Sequence, residues 1–429
     1  MTAAAQPTTG PRMPARLAVE VFLAFAFAYF FSALVRGVAA TLAPSFSAEL
    51  GLDAGDLGLL AGAYFFGFAA MQLPMGGALD RFGPRRVIIS LLAVAVLGCM
   101  AFALARSFAG LTAARALIGM GVGACLMAPM TLFRRRFSAA AQMRANSWML
   151  MTGSLGMVAS TLPVQWLLPS LGWRGLFWAI AGLMTLSIGV IAWRVPADAT
   201  GSGAGRAAHV EPPGGGDSAG YAAVFRHPTF VRLAPLGFFN YGALIAVQSL
   251  WAGPWLVQVH GLTAAQAASG LFGINLAMLL AFWSWGILVP RLYARGWNAM
   301  RLIILGMPVS LLALVAAVLL GPHANAWLWS AFCVSSSLVA LAQPAVAQAF
   351  PTAAAGRALS AFNLVVFAGV FTLQWGIGLV IDIGLGWGWS ALSAFRLAFA
   401  LLALCCSLSY VWFLRCKDPA ALAKLNPPG

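Results

Sequence analysis

The sequence predicts an all-α membrane protein of twelve transmembrane helices arranged as two pseudo-symmetric six-helix bundles. Three observations carry this. Of 429 residues, 62% are hydrophobic and 8% are charged, whereas a soluble chain carries about 25% charge. The apolar residues fall in twelve runs long enough to cross a bilayer, which takes roughly 20 residues of helix. The charges lie between those runs and fall overwhelmingly to one side.

The runs lie near 17–43, 57–75, 87–105, 110–133, 146–168, 175–194, 233–257, 265–289, 302–320, 324–350, 358–382 and 393–415. Each is read as a helix, because an open strand leaves its backbone unsatisfied in lipid. The first follows a small, polar stretch, 1–15. It is too long for a signal-peptide core and lacks a small-residue cleavage site, so it is expected to stay as an uncleaved helix. Gly76–Arg86 separates the second and third runs, and Arg134, Arg135, Arg136 and Arg144 separate the fourth and fifth. The one long connection, 195–232, contains Gly201-Ser202-Gly203-Ala204-Gly205 and Pro212-Pro213-Gly214-Gly215-Gly216. Such a composition cannot build a core, so a flexible linker is expected between a bundle at 1–194 and one at 233–429. Arg291, Arg295 and Arg301 follow the eighth run, Arg357 follows the tenth, and Arg415, Lys417 and Lys424 close the chain.

With the N-terminus inside, the cytoplasmic segments hold 20 Lys/Arg, the outside segments hold three (Arg106, Arg174 and Arg396), and Arg36 and Arg115 remain inside spans. Cytoplasmic loops of membrane proteins are enriched in Lys and Arg, so the split supports both the count and the orientation. Both termini and the linker are expected to be cytoplasmic. Heavy use of Arg, Ala and Gly points to a GC-rich bacterial genome, and hence to an inner membrane.

Several function classes are excluded. The net charge is +15, but it is spread over short loops rather than gathered in a nucleic-acid-binding patch. The six cysteines lie in apolar spans or at a cytoplasmic end, so no disulfide framework is implied. Neither metal-ligand spacing nor a Gly-x4-Gly-Lys-Ser/Thr phosphate loop occurs. No cofactor, metal or catalytic residue is expected. The protein is not read as an enzyme, and any transport would be driven by gradients.

The turn Gly76-Gly77-Ala78-Leu79-Asp80-Arg81-Phe82-Gly83-Pro84-Arg85-Arg86 has the pattern Gly-x3-Asp-Arg-x-Gly-x-Arg-Arg. Its glycines would permit a tight turn. Arg115-x3-Gly119-x-Gly121 lies in the fourth span and Gly172-Trp173-Arg174-x2-Phe177 before the sixth. Gly286-x3-Pro290-Arg291-Leu292-x2-Arg295-Gly296 repeats the first pattern weakly after the eighth span. Together these resemble the major facilitator superfamily of secondary transporters. The resemblance implies alternating access, with bundles that rock about a site near mid-membrane. It gives Gly76, Asp80, Arg81, Gly83, Arg85 and Arg86 the role of a conformational latch. A turn that only fixes topology is the other reading, but topology needs neither Asp80 nor the glycines.

Arg36 is the sharpest binding candidate. An arginine facing lipid at span centre costs about 2.5–3.5 kcal/mol on insertion scales, so it should face a polar cavity or a partner. Snorkelling to the outer interface, about 10 Å away, is the alternative. Tyr29 and Ser32 share its helix face. A fixed guanidinium receives a carboxylate or phosphate, and the segment is similar to the first span of organic-phosphate/phosphate exchangers, where an arginine binds substrate. Gln248 and Trp251 lie along one face of the seventh span with Asn240, Leu244 and Trp255, as a cavity wall would; Trp255 is also read as part of an interfacial aromatic belt. Asn275, Gln343, Asn363 and Gln374 either line the pathway or bond between helices. Arg115 and Glu20 are candidate coupling residues. Their plainer readings are an interface arginine and a helical pair with Arg16. No carboxylate lies at mid-depth, so proton coupling is not indicated. The fifth span lacks the Gly-Pro-x2-Gly-Gly cluster that resembles drug/proton antiporters.

The reading is a carrier of a small organic anion. Its expected partners are that substrate, a coupling ion or counter-substrate, and the bilayer; a monomer and no nucleic acid are expected. An exporter of drugs or metabolites is the alternative, and a non-transporting sensor or scaffold the remote one.

Overall fold

A computed structural model of the chain describes residues 13–197 and 221–416. Most of the expected linker, with its Gly- and Pro-rich runs, lies outside the described residues, as do Arg12, Arg206, Lys417 and Lys424. Among the described residues every regular element is helical. Ten helices are long and apolar enough to cross a membrane, and the pair Ala54–Ala70 and Gln72–Phe82, bent by 45°, makes an eleventh span. The twelfth, span 5, begins with Ala139–Ala159. It escapes a simple hydropathy test because Gln142, Arg144 and Asn146 dilute its apolar residues.

In chain order, span 1 is Ala15–Leu50, span 2 the bent pair, span 3 Pro84–Leu104 and span 4 Phe108–Arg136. Span 5 continues from Ala159 into the helix Leu162–Arg194, whose kink at Gly172 (φ +61°) separates it from span 6. Only a residue that tolerates positive φ can make that break without strain. Spans 7 to 12 are Pro228–Val259, Ala264–Ala294, Ala299–Leu320, Ala326–Gln348, Thr352–Gly386 and Ala391–Arg415. Helix starts are capped by side-chain oxygens, which satisfy amides that have no partner inside the helix. Asp53, Ser107, Asn298, Asn325 and Ser390 serve this way, and Thr263 forms a reciprocal box with Gln266.

Three elements depart from the sequence reading. Span 1 does not stop before Pro44 but carries it inside the helix and runs on to Leu50. The linker is shorter than 195–232, because Tyr221–Arg226 is helical and span 7 begins at Pro228. The charged turn is mostly helix: Gln72–Phe82 passes straight through Gly76 and Gly77, and Gly83 alone (φ +79°) makes the corner.

Close helix crossings depend on small residues, as is usual where lipid supplies no hydrophobic drive between helices. A Cβ on Gly119 would strike the Tyr64 backbone, and one on Gly67 would strike Ala116, so spans 2 and 4 touch backbone to backbone. Spans 1 and 5 meet at Gly156, which abuts the Phe30 carbonyl, while Gly37 and Gly153 make room for the Ser160 and Tyr29 side chains.

Arg81, Arg85, Arg86 and Arg134–Arg136 lie at one end of the helices, here the basic face. At the opposite face the two bundles close on each other. Gly253 of span 7 abuts the Ala40 carbonyl of span 1, Gly378 of span 11 abuts the Ala54 backbone of span 2, and Gly58 abuts the Gln374 carbonyl. The seam runs down to mid-depth, where Phe65 stacks on Phe367 at 6.2 Å and Phe68 meets it at 4.5 Å.

Candidate functional site

The site is built around Arg36. Because span 1 continues to Leu50, Arg36 lies about 20 Å below the helix end at ~1.5 Å rise per residue. At ~54 Å, span 1 is longer than the ~30 Å hydrocarbon core, and Arg36 sits near its middle. Arg36 is half-buried. Among the described residues no carboxylate pairs with it; the ion pairs are Arg16–Glu20, Arg135–Asp80, Arg174–Glu49 and Arg194–Glu20.

Its surroundings are phenolic. The guanidinium sits beside Tyr29, two turns earlier on the same helix, and within electrostatic range of Tyr64 in span 2 and Tyr241 in span 7. The Tyr29 ring lies against Gly153 of span 5, where a Cβ would collide with it. The Tyr64 hydroxyl points at the Ser32 carbonyl, 3.5 Å away. Tyr64 and Tyr241 escaped the sequence reading because their meeting with Arg36 is made by helix packing and leaves no pattern in the chain. The arrangement offers one fixed cation and several hydroxyl donors on the seam between the bundles.

Span 7 is interrupted by π-helical stretches at Gly237–Tyr241, Val247–Trp251 and Trp255–Val259. Such stretches often mark functional segments. The last follows Pro254, which lacks the amide a regular helix would use there. Gln248 is half-buried, and its Nε2 donates to Asn275 Oδ1 of span 8 at 2.9 Å. Trp251 departs from its expected place on the cavity wall. It is 0% exposed, its Nε1 donates to the Gln374 carbonyl at 3.1 Å, and it packs on Phe395. Trp255 is likewise no interfacial belt residue; it is buried with Trp329 and Phe399, and its Nε1 donates to the Ala324 carbonyl. Asn240, Gln343 and Gln374 bond to Ser409, Asn363 and Ser249, so these amides serve as interhelical ties.

Arg115 is not an interface arginine. It is 1% exposed, lies over the Tyr64 and Phe102 rings at 5.8 Å each, and donates from Nη1 to the Val35 carbonyl at 3.0 Å. It therefore braces the backbone next to Arg36. Glu20 pairs with Arg16, as expected, and also accepts from Arg194 at 2.8 Å, tying span 1 to span 6. A similar tie at the opposite face explains the Gly172-Trp173-Arg174 motif: both Trp173 and Arg174 donate to Glu49 at the end of span 1.

The side-chain bonds of the charged turn stay inside the first bundle, while its helix, Gln72–Phe82, also packs against span 11. Asp80 accepts from Arg135 at 3.0 Å, Arg81 lies over the Phe82 ring, and Arg85 donates to the Ala192 carbonyl. Arg86 is exposed and, with Arg85, Phe82, Ile89, Ser90 and Ala197, lines a groove of about 430 Å³. A Cβ on Gly76 or Gly77 would meet nothing. Among the described residues no three His, Cys, Asp or Glu side chains converge as metal ligands.

A twelve-span, two-bundle membrane protein, sealed at one face and holding a lone arginine on its central seam, has the architecture of a carrier. A family model described as Major Facilitator Superfamily matches residues 25–372, and the chain belongs to that family. It resembles the 4-hydroxybenzoate transporter PcaK of Acinetobacter baylyi, 31% identical over 152 residues (34% of this chain, 33% of that protein). The niacin transporter NiaP of the same organism is 28% identical over 168 residues (39% and 38%). The 3-(3-hydroxy-phenyl)propionate transporter of Escherichia coli is 29% identical over 268 residues (61% and 60%). The chain thus spans between about a third and three fifths of these relatives' lengths. Among solved structures, a bacterial homologue of the human lysosomal transporter Spinster, inward-facing and unoccupied, superposes with a TM-score of 0.74 at 17% identity, covering 94% of this chain and 97% of that one. A D-xylose–proton symporter gives 0.70 at 14% identity with the same coverage. At such identities these structures speak to the fold alone.

Proposed function

We propose that the protein is a secondary transporter that carries a small organic anion across a bacterial inner membrane by alternating access. The observation that carries this reading is Arg36: a permanent cation on the seam between the bundles, ringed by tyrosines and paired with no carboxylate among the described residues. A guanidinium fork of this kind takes a carboxylate through two parallel hydrogen bonds. The relatives support the choice of anion, since the substrates in their names, 4-hydroxybenzoate, niacin and a hydroxyphenylpropionate, are aromatic carboxylic acids. In this reading Tyr29, Tyr64 and Tyr241 donate to the bound anion, Gln248 contributes an amide, and Asp80, Arg81, Arg85 and Arg86 bias the balance of states. The basic face is the cytoplasmic one and the sealed face is the outer one.

Two experiments test this. Purified protein in liposomes preloaded with an aromatic carboxylate should take up the labelled anion by counterflow, and a zwitterion or sugar should not replace it. Absence of any carboxylate counterflow across a panel of such acids overturns the reading. For orientation, single cysteines at Arg106 and at Arg295, both exposed, separate the two faces. An impermeant thiol reagent on intact cells should label the first and spare the second. The reverse pattern would invert the topology.

A further inference from the structure

We propose that Asp382 is the positioning residue that holds the outer gate shut, serving as a removable cap on span 2 supplied by the opposite bundle. The first turn of a helix leaves its amides without partners and carries a partial positive charge. Span 2 satisfies one amide itself, through Asp53 Oδ1 and the Asp56 N–H at 2.7 Å. The two before it are satisfied from span 11: Asp382 Oδ1 accepts from Ala54 at 3.0 Å and Oδ2 from Gly55 at 2.6 Å. A carboxylate that accepts two backbone amides at a helix N-terminus makes charge-assisted bonds, the stronger kind.

The surrounding residues are fitted to this contact. A Cβ on Gly55 would stand 2.7 Å from Oδ2, so a side chain there would push the carboxylate off. Gly378, one turn below Asp382, lets the two helices touch at Ala54. Asp53 is the charged group that acts on Asp382. Span 12, on the other side of span 11, brings Arg396, which is held by the Val318 and Leu319 carbonyls, and His260 at the end of span 7 rests on the Pro322 carbonyl. No neighbouring cation competes for Asp382 in these contacts.

Among the described residues, the hydrogen bonds that join the two bundles both end on Asp382, and the four ion pairs all lie within the first bundle. Apart from the Arg36 and tyrosine cluster deeper down, the rest of the seam is apolar or backbone against small residues. Apolar surfaces hold the gate in general, whereas this carboxylate holds it in one register. Opening outward must pull Asp382 off span 2, and water then replaces it on both partners. The inference rests on alternating access and not on which anion is carried.

The test reads gate populations by pulsed electron spin resonance between labels at Arg106→Cys and His323→Cys, which lie at the outer ends of different bundles, in a background with the native cysteines replaced. Wild-type protein should favour the short distance. Asp382→Asn retains one acceptor but turns an NH2 toward an amide donor, and it should raise the long-distance fraction relative to the short by about tenfold, one lost charge-assisted bond. Gly55→Val attacks the same contact from span 2 and should shift the ratio the same way, with no further shift in the double variant. Asp53→Asn keeps a capping oxygen and removes the like charge beside Asp382, so it should not raise the long-distance fraction. Unchanged populations in both Asp382→Asn and Gly55→Val would overturn the proposal, as would simple additivity of their effects or an equal shift in Asp53→Asn.

Discussion

Arg36→Ala is expected to abolish the proposed anion binding while the protein still inserts and folds. Two charge-assisted hydrogen bonds to a carboxylate are lost, each worth roughly 1.5–3 kcal/mol, so the dissociation constant should rise at least ~100-fold. Folding survives because Arg36 is half-buried and pairs with no carboxylate among the described residues; its removal strands no acid. Arg36→Lys should recover little, since an ammonium lacks the planar fork and presents a compact, strongly hydrated charge. The measurement is titration of the purified variants with an aromatic carboxylate that binds wild-type protein. Wild-type-like affinity in Arg36→Ala would sink the anion reading and leave the arginine a structural role only.

Arg115→Ala should have the opposite profile, a large loss of stability. The side chain is 1% exposed, fills the space between the Tyr64 and Phe102 rings, and donates to the Val35 carbonyl. Its removal opens a cavity where spans 1, 2, 3 and 4 meet and deletes a buried charge-assisted bond, a combined loss on the order of 3 kcal/mol. Thermal unfolding in detergent should show a clear drop in midpoint, and the site one residue away at Arg36 should loosen with it. A variant of wild-type stability whose transport changes only in its pH dependence would instead assign Arg115 to proton coupling.

Most of the architecture was legible because lipid imposes a strict code: apolar length gives the spans, and most of the loop arginines gather at one end of them. Where the reading slipped, the local rule was sound but the neighbours overrode it. Pro44 looks like a stop, yet span 1 carries it, because the helix is already set by the turns before it and packed on both sides. Gly76 and Gly77 look like a turn but lie in an exposed helix, while one glycine, Gly83, makes the corner. The site was half legible. Arg36 and Tyr29 stand out because charge and phenol are costly in an apolar run and share a helix face. Trp251 shares a face with Gln248 just as convincingly, yet span 7 is enclosed nearly all round, so periodicity could not separate the wall of a cavity from the core of a bundle. Tyr64, Tyr241 and the grip of Asp382 on span 2 depend on which spans touch, which a single chain does not spell out.

The sealed face has an electrical consequence. The membrane potential falls across whichever gate is closed, which in the proposed orientation is the outer one. In that orientation the Arg36 site faces the interior, negative potential, which favours an uncompensated positive charge. Reorienting the empty carrier outward moves that charge relative to the field, at about 2.3 kcal/mol per elementary charge per 100 mV. With a monovalent anion aboard, the same motion moves almost no net charge. On the proposed reading, resting voltage favours the empty carrier with its outer gate closed and leaves the loaded carrier indifferent. Fast voltage steps on reconstituted protein should evoke a transient capacitive current that a saturating monocarboxylate suppresses. A transient that the anion leaves unchanged would show that the mobile charge lies elsewhere.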